Sequence, residues 1–217
     1  MSLAHRNQVC DFVDTAITNM LRIEVNLRRL GYVFANPQGP VQLAPGGANT
    51  ALIELQQRIG QLPDLFIALY SRAKCIDFSQ DKRQLLDRQD HPVAGLGLNC
   101  TLVFESISTA PERQATLEGN HFSCMKPSGD LFFPLGTYAS NSQPKGVWLP
   151  DTSIDPVIYD AGAGPVTMSK EITLALRAGG FPFWGHMFAK RRVTSPIQNM
   201  PQYRGILPSL MEGVVPM

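Results

Sequence analysis

The chain has little charge. Of 217 residues, 19 are Lys or Arg and 18 are Asp or Glu, so 17% are charged and the formal net charge is +1. A typical soluble domain carries roughly 25% charged residues. The shortage excludes a polybasic nucleic-acid binder, an acidic tail protein and a chain kept disordered by charge. Long apolar runs are missing as well: no stretch reaches the roughly 18 consecutive apolar residues of a membrane span. The N-terminus has no basic region followed by an apolar segment, so no secretory signal is expected. Cysteine is scarce. Cys10, Cys75, Cys100 and Cys124 are too few and too far apart for a disulfide framework and read as reduced thiols of a cytoplasmic protein. Signatures of catalysis are lacking too: there is no G-x-S-x-G elbow, H-E-x-x-H helix, Walker A loop or C-x-x-C pair. The sequence thus implies no membrane contact, no nucleic acid, no cofactor and no metal.

What the chain does have is apolar content, 44%, together with eighteen glycines and seventeen prolines. That supports a sizeable core cut by many turns. Between Asn7 and Leu30 the apolar residues Val9, Phe12, Val13, Ala16, Met20, Ile23, Leu27 and Leu30 recur at gaps of three and four. They predict one long amphipathic helix with Asp11 and Asp14 early, Arg28 and Arg29 late, and Gly31 as its stop. Tyr32-Val33-Phe34 looks like a short strand. A second helix is predicted around Leu52, Leu55 and Ile59, capped by Asn49 or Thr50 and ended by Gly60; Pro63 starts a third that carries Leu65, Phe66, Leu69 and Tyr70.

Beyond Arg72 the pattern changes to short strands at Lys74 to Phe78, Thr101 to Phe104, Leu131 to Phe133, Val147 to Leu149 and Val157 to Tyr159. Asp81 to Gln89 and Pro111 to Leu117 carry weak helical stripes, and Asp160 to Pro165 reads as a turn, not a phosphate loop. Ser169 is the expected cap of a last helix closed by Gly179-Gly180. No linker divides the chain. The expectation is one α+β domain over 1–217, a mainly antiparallel sheet flanked by N-terminal helices and a C-terminal helix, with residues 186–217 as a C-terminal arm.

Few residues suggest chemistry. His121 and Cys124 have the spacing of two metal ligands or a Cys/His nucleophilic pair, but no second pair completes a zinc site; a buried thiol beside a solvated imidazole is the plainer reading. Asp151 and Asp155 could share acid–base work, yet Pro150-Asp151 and Asp155-Pro156 are also turn chemistry. Lys190-Arg191-Arg192 makes a short basic patch. Trp148 and Trp184 are either core or exposed anchors of a binding surface.

The order of several blocks resembles a known family. Asn26-Leu-Arg-Arg-Leu-Gly-Tyr-Val-Phe-Ala-Asn-Pro37, then Leu52 to Gly60 and Gln61-Leu-Pro-Asp-Leu-Phe-Ile-Ala-Leu-Tyr70, resembles the opening of SUKH-type proteins, the Smi/Knr-like superfamily of immunity proteins and cell-wall regulators. Lys145-Gly-Val-Trp-Leu-Pro-Asp151 and Leu174-Ala-Leu-Arg-Ala-Gly-Gly-Phe-Pro182 are similar to a C-terminal half in uncharacterised bacterial relatives. The resemblance covers about half the chain; residues 79–130 match no such pattern. It implies an α+β fold without a catalytic constellation and, from the best-understood bacterial members, binding to a toxin. The resulting expectation is a non-enzymatic module that binds a protein partner through Trp148, Asp151, Asp155, Tyr159 and Trp184. The alternatives are a small hydrolase or transferase using Cys124 with His121 or the aspartate pair, and a structural homo-oligomer.

Overall fold

Helix α1 (Leu3–Arg29) forms because its apolar stripe has one place to go: Val13, Ala16, Met20, Ile23 and Leu27 are completely buried. It starts four residues earlier than the periodicity suggested, so no acidic residue lies in its first turn. Asp14 instead sits mid-helix and pairs with Arg72. Gly31, at φ 82°, stops the helix. Its N–H reaches the Arg28 carbonyl while that of Tyr32 reaches Leu27, the paired bonds of a Schellman turn. The computed structural model describes residues 3–44, 50–81, 83–84, 93, 101–107, 131–137, 144–160, 165–181 and 201–217.

Tyr32-Val33-Phe34 is not a strand. Tyr32 and Phe34 are buried and Val33 is half exposed, as a strand would have them, but only one isolated bridge forms, Phe34 to Gln80. The strand lies past the Pro37–Pro40 turn, as β1 (Val41–Leu43). Helices α2 (Thr50–Ile59) and α3 (Asp64–Arg72) follow, with Pro63 just outside α3 as its cap. They lead into β2 (Ala73–Asp77) and β3 (Val103–Phe104), which complete an antiparallel sheet of order β1-β2-β3.

The second sheet is an antiparallel meander of β4 (Leu131–Thr137), β5 (Pro144–Leu149), β6 (Val157–Asp160) and β7 (Val166–Thr167). The two sheets meet edge to edge. The Glu105 N–H donates to the Leu135 carbonyl at 2.8 Å, and Gly136 lies so close to Val103 that an added Cβ would come within 3.0 Å of its side chain. Helix α4 (Met168–Arg177) ends in a second Schellman turn at Gly179 and Gly180, and α5 (Pro201–Leu210) closes the chain's order. The fold is therefore α+β with antiparallel sheets and an N-terminal helix. One continuous cluster of buried side chains runs from α1 through both sheets to α4, joined by Phe66, whose ring meets Phe133 edge-on at 5.4 Å. Among the described residues no helix is long and apolar enough to cross a membrane.

One loop adds a further connection between the halves. Helix α3 has no side-chain cap; its first N–H groups, Asp64 and Leu65, donate to the carbonyls of Ser153 and Ile154. The same loop then turns to α4: Met168 N–H bonds Pro156, and Ser169 gives both its N–H and its hydroxyl to Asp155. Ser169 is thus not the cap but the residue being capped, from fourteen residues upstream. Asp155→Ala should cost about 1–2 kcal/mol, the usual range for losing a helix cap, seen as a lower urea midpoint with the slope unchanged.

Two buried phenols make a pH signature. Tyr32 donates to the Phe78 carbonyl at 2.7 Å and Tyr70 to that of Glu105 at 2.9 Å. Burial first, then the charge of Asp77 or Glu105, pushes both hydroxyls well above their ordinary value of 10.0. The folded state thus keeps protons that the unfolded chain releases, so this stability is complete below about pH 10 and declines as pH rises further. Absorbance at 295 nm should show two tyrosines that ionise only together with alkaline unfolding.

Candidate functional site

Strand alternation places the sequence-selected aromatics on one surface. In β5 the side chains of Lys145, Val147 and Leu149 point inward and are buried, which turns Trp148 to the outer face of the sheet. Phe132 lies directly across from Trp148, with the rings 5.2 Å apart and edge-on. Tyr159 faces Gly146, the residue two before Trp148, and so belongs to the same outer face. Phe132, Trp148 and Tyr159 are each half-buried. The space between them exists because position 146 has no side chain: a Cβ there would lie 2.3 Å from the Phe133 carbonyl and 2.7 Å from the Phe132 ring. The Trp148 indole N–H is shielded from solvent and donates to no acceptor among the described residues. A buried donor in that state commonly costs about 1–3 kcal/mol.

The aspartates fall elsewhere. Asp151 accepts the N–H and hydroxyl of Ser153 in a local turn, while Asp155 caps α4. Each carboxylate is held by a neighbouring backbone amide and hydroxyl, an arrangement that fixes loops rather than moving protons. Asp155 also borders a cleft of about 160 Å³ walled by His5, Phe12, Leu65, Ile154 and Ser169. His5, Asp155 and Ser169 meet there, but the serine hydroxyl donates to the carboxylate itself, which is capping geometry and not the order nucleophile, base, orienter. Trp184, His121, Cys124, Cys100 and the Lys190–Arg192 patch lie outside the described residues. Of the other thiols, Cys10 and Cys75 form no disulfide. Burial and then Asp77 push the Cys75 thiol up, the opposite of an activated nucleophile. Among the described residues no group of three His, Cys, Asp or Glu side chains could hold a metal ion.

Sequence reasoning missed a buried ion pair. Lys145 Nζ lies 3.6 Å from Glu171 Oε1, both side chains are 1% exposed, and the ammonium stands 5.4 Å from the Phe104 ring centroid. The signal was present but weak: Lys145 alternates in register with Val147 and Leu149, and Glu171 neighbours Ile172 on the inner face of α4. Compared with known protein families, with curated proteins and with solved structures, the chain matches none. Glu171→Ala takes one carboxylate out of this buried pair and should destabilise by about 3–5 kcal/mol. The double change Lys145→Met with Glu171→Leu should recover most of that loss, measured as the coupling in a denaturation cycle.

Proposed function

We propose that this chain is a non-enzymatic binding module of immunity type, holding a protein partner such as a toxin domain against the outer face of its four-stranded sheet. The observation that carries the reading is the aromatic surface of Phe132, Trp148 and Tyr159 around Gly146. Aromatic anchors set in a sheet are typical of binding hot spots, because they bring large area at little loss of side-chain freedom. The indole N–H, which meets no acceptor among the described residues, adds a donor to that face.

The resemblance to SUKH-type proteins supports the same reading, since members of that superfamily neutralise toxins by binding them. A cytoplasmic setting goes with it, in keeping with the unpaired Cys10 and Cys75. The hydrolase alternative draws no support from Asp151 and Asp155, whose oxygens serve the turn and the cap.

The test uses the chain as bait in extracts of its native host, beside Trp148→Ala and Tyr159→Ala. A partner retained by the wild type should be lost by at least tenfold from both variants, with melting temperatures kept within a few degrees. Expressing that partner alone should arrest growth, and co-expressing this chain should restore it. Equal capture by all three baits, or a captured protein without toxicity, would remove the proposal.

A further inference from the structure

Helix α1 overhangs the core at its N-terminal end. Its apolar stripe continues from Val13 back to Phe12 and Val9, which are only half-buried. Leu65 of α3, 3% exposed, and Ile154 of the β5–β6 loop, 42% exposed, complete with them the apolar walls of the cleft of about 160 Å³. An apolar cavity of about 150 Å³ is large enough for one benzene ring. The backbone of Ile154 is fixed from both sides: its carbonyl accepts the Leu65 N–H, and the next residue, Asp155, holds the start of α4. An apolar wall held in place in advance loses little freedom when a ligand arrives.

The rim of the cleft has a sign. Asp155 and Ser169 form part of it, and His5 and Gln8 of α1 complete it. A carboxylate offers about four lone-pair positions. Ser169 takes one on each oxygen, through its N–H and its hydroxyl, so each oxygen keeps acceptor capacity. Helices α3 and α4 both begin at this cleft, and a helix start carries about half a positive charge. Asp155 at the start of α4 and Asp64 in the first turn of α3 outweigh them near neutral pH with a full negative charge each. No Lys or Arg lines the cleft among the described residues; Arg6 and Lys170, chain neighbours of His5 and Ser169, are exposed. The apolar walls therefore end in a rim that favours a cation.

The geometry points to a binding site for a small primary amine that carries a single ring. The ring fills the space between Val9, Phe12, Leu65 and Ile154, and the ammonium donates to the Asp155 carboxylate. Phenethylamine has this shape, a benzene ring with its nitrogen on a short ethyl arm. Phe132, Trp148 and Tyr159 line no part of the cleft, so binding here and partner capture on the outer sheet face stand or fall separately.

The experiment titrates the full chain at neutral pH with phenethylamine and, separately, with phenylacetate, which keeps the ring and reverses the charge. Amide shifts are followed in nitrogen–proton correlation spectra. Phenethylamine should move the amides of Val9, Phe12, Leu65, Ile154 and Ser169 with one saturable dissociation constant on the order of 1 mM, and phenylacetate should bind at least tenfold more weakly. Asp155→Asn retains an oxygen for the Ser169 N–H and removes the charge, so it should fold and bind phenethylamine at least tenfold more weakly. Val9→Trp, which fills the cleft from α1, should bind neither ligand. Should a variant fail to fold, the two ligands on wild type decide. The inference is overturned by the absence of saturable shifts up to about 10 mM, by equal affinity for the two ligands, or by shifts confined to residues outside the cleft. Unchanged affinity in either folded variant overturns it as well.

Discussion

Six residues, Asp151 to Pro156, supply hydrogen-bond acceptors to the first turns of two helices at once. Through the carbonyls of Ser153 and Ile154 they terminate α3, and through Pro156 and the Asp155 carboxylate they terminate α4. A helix start leaves four N–H groups without internal partners. In this chain a loop distant in sequence satisfies two of those of α3, Asp64 and Leu65, which ties the early helices to the late sheet. The edge-to-edge meeting of β3 with β4 and the Phe66–Phe133 contact follow the same division. The fold is cooperative across its middle because the polar accounts of one half are closed by the other.

Much of the fold was legible where one rule acts alone. The stripe of α1, the glycine stops at 31, 60 and 179 and the positions of β2, β5 and β6 follow from periodicity and φ requirements local to each segment. Boundaries failed where a distant group decided them. Ser169 looked like a cap because its hydroxyl precedes an apolar run; the carboxylate that performs the capping lies on another segment. Tyr32 to Phe34 has the alternation of a strand, but strand identity belongs to the pairing, and the pairing went to Val41–Leu43. Strands β4 and β5 extend past the apolar cores that marked them, since ladder bonds include Gly136, Pro144 and Lys145 regardless of side chain.

The candidate site was half legible. Trp148 and Tyr159 could be chosen as aromatics, but their sharing of one face with Phe132 depends on the β4–β5–β6 register. Asp151 and Asp155 separated from them because turn chemistry, weighed as an alternative, describes where their oxygens go. Lys145 and Glu171 stayed invisible for a common reason. Polar residues inside apolar patterns read as interruptions until the partner that justifies their burial is placed beside them.

Gly146 gives the aromatic face an unusual genetic vulnerability. Its contribution is an absence, the room in which the Phe132 ring lies, so the shape of that face is written at a position with nothing to truncate. A scan that shortens side chains to alanine measures lost contacts everywhere else on the sheet, but at 146 it adds an atom where the Phe133 carbonyl already stands. The smallest substitution available there is an insertion into a filled space. Variation at this surface is therefore asymmetric: the aromatics can be trimmed or exchanged one at a time, while the residue between them can only remain as it is.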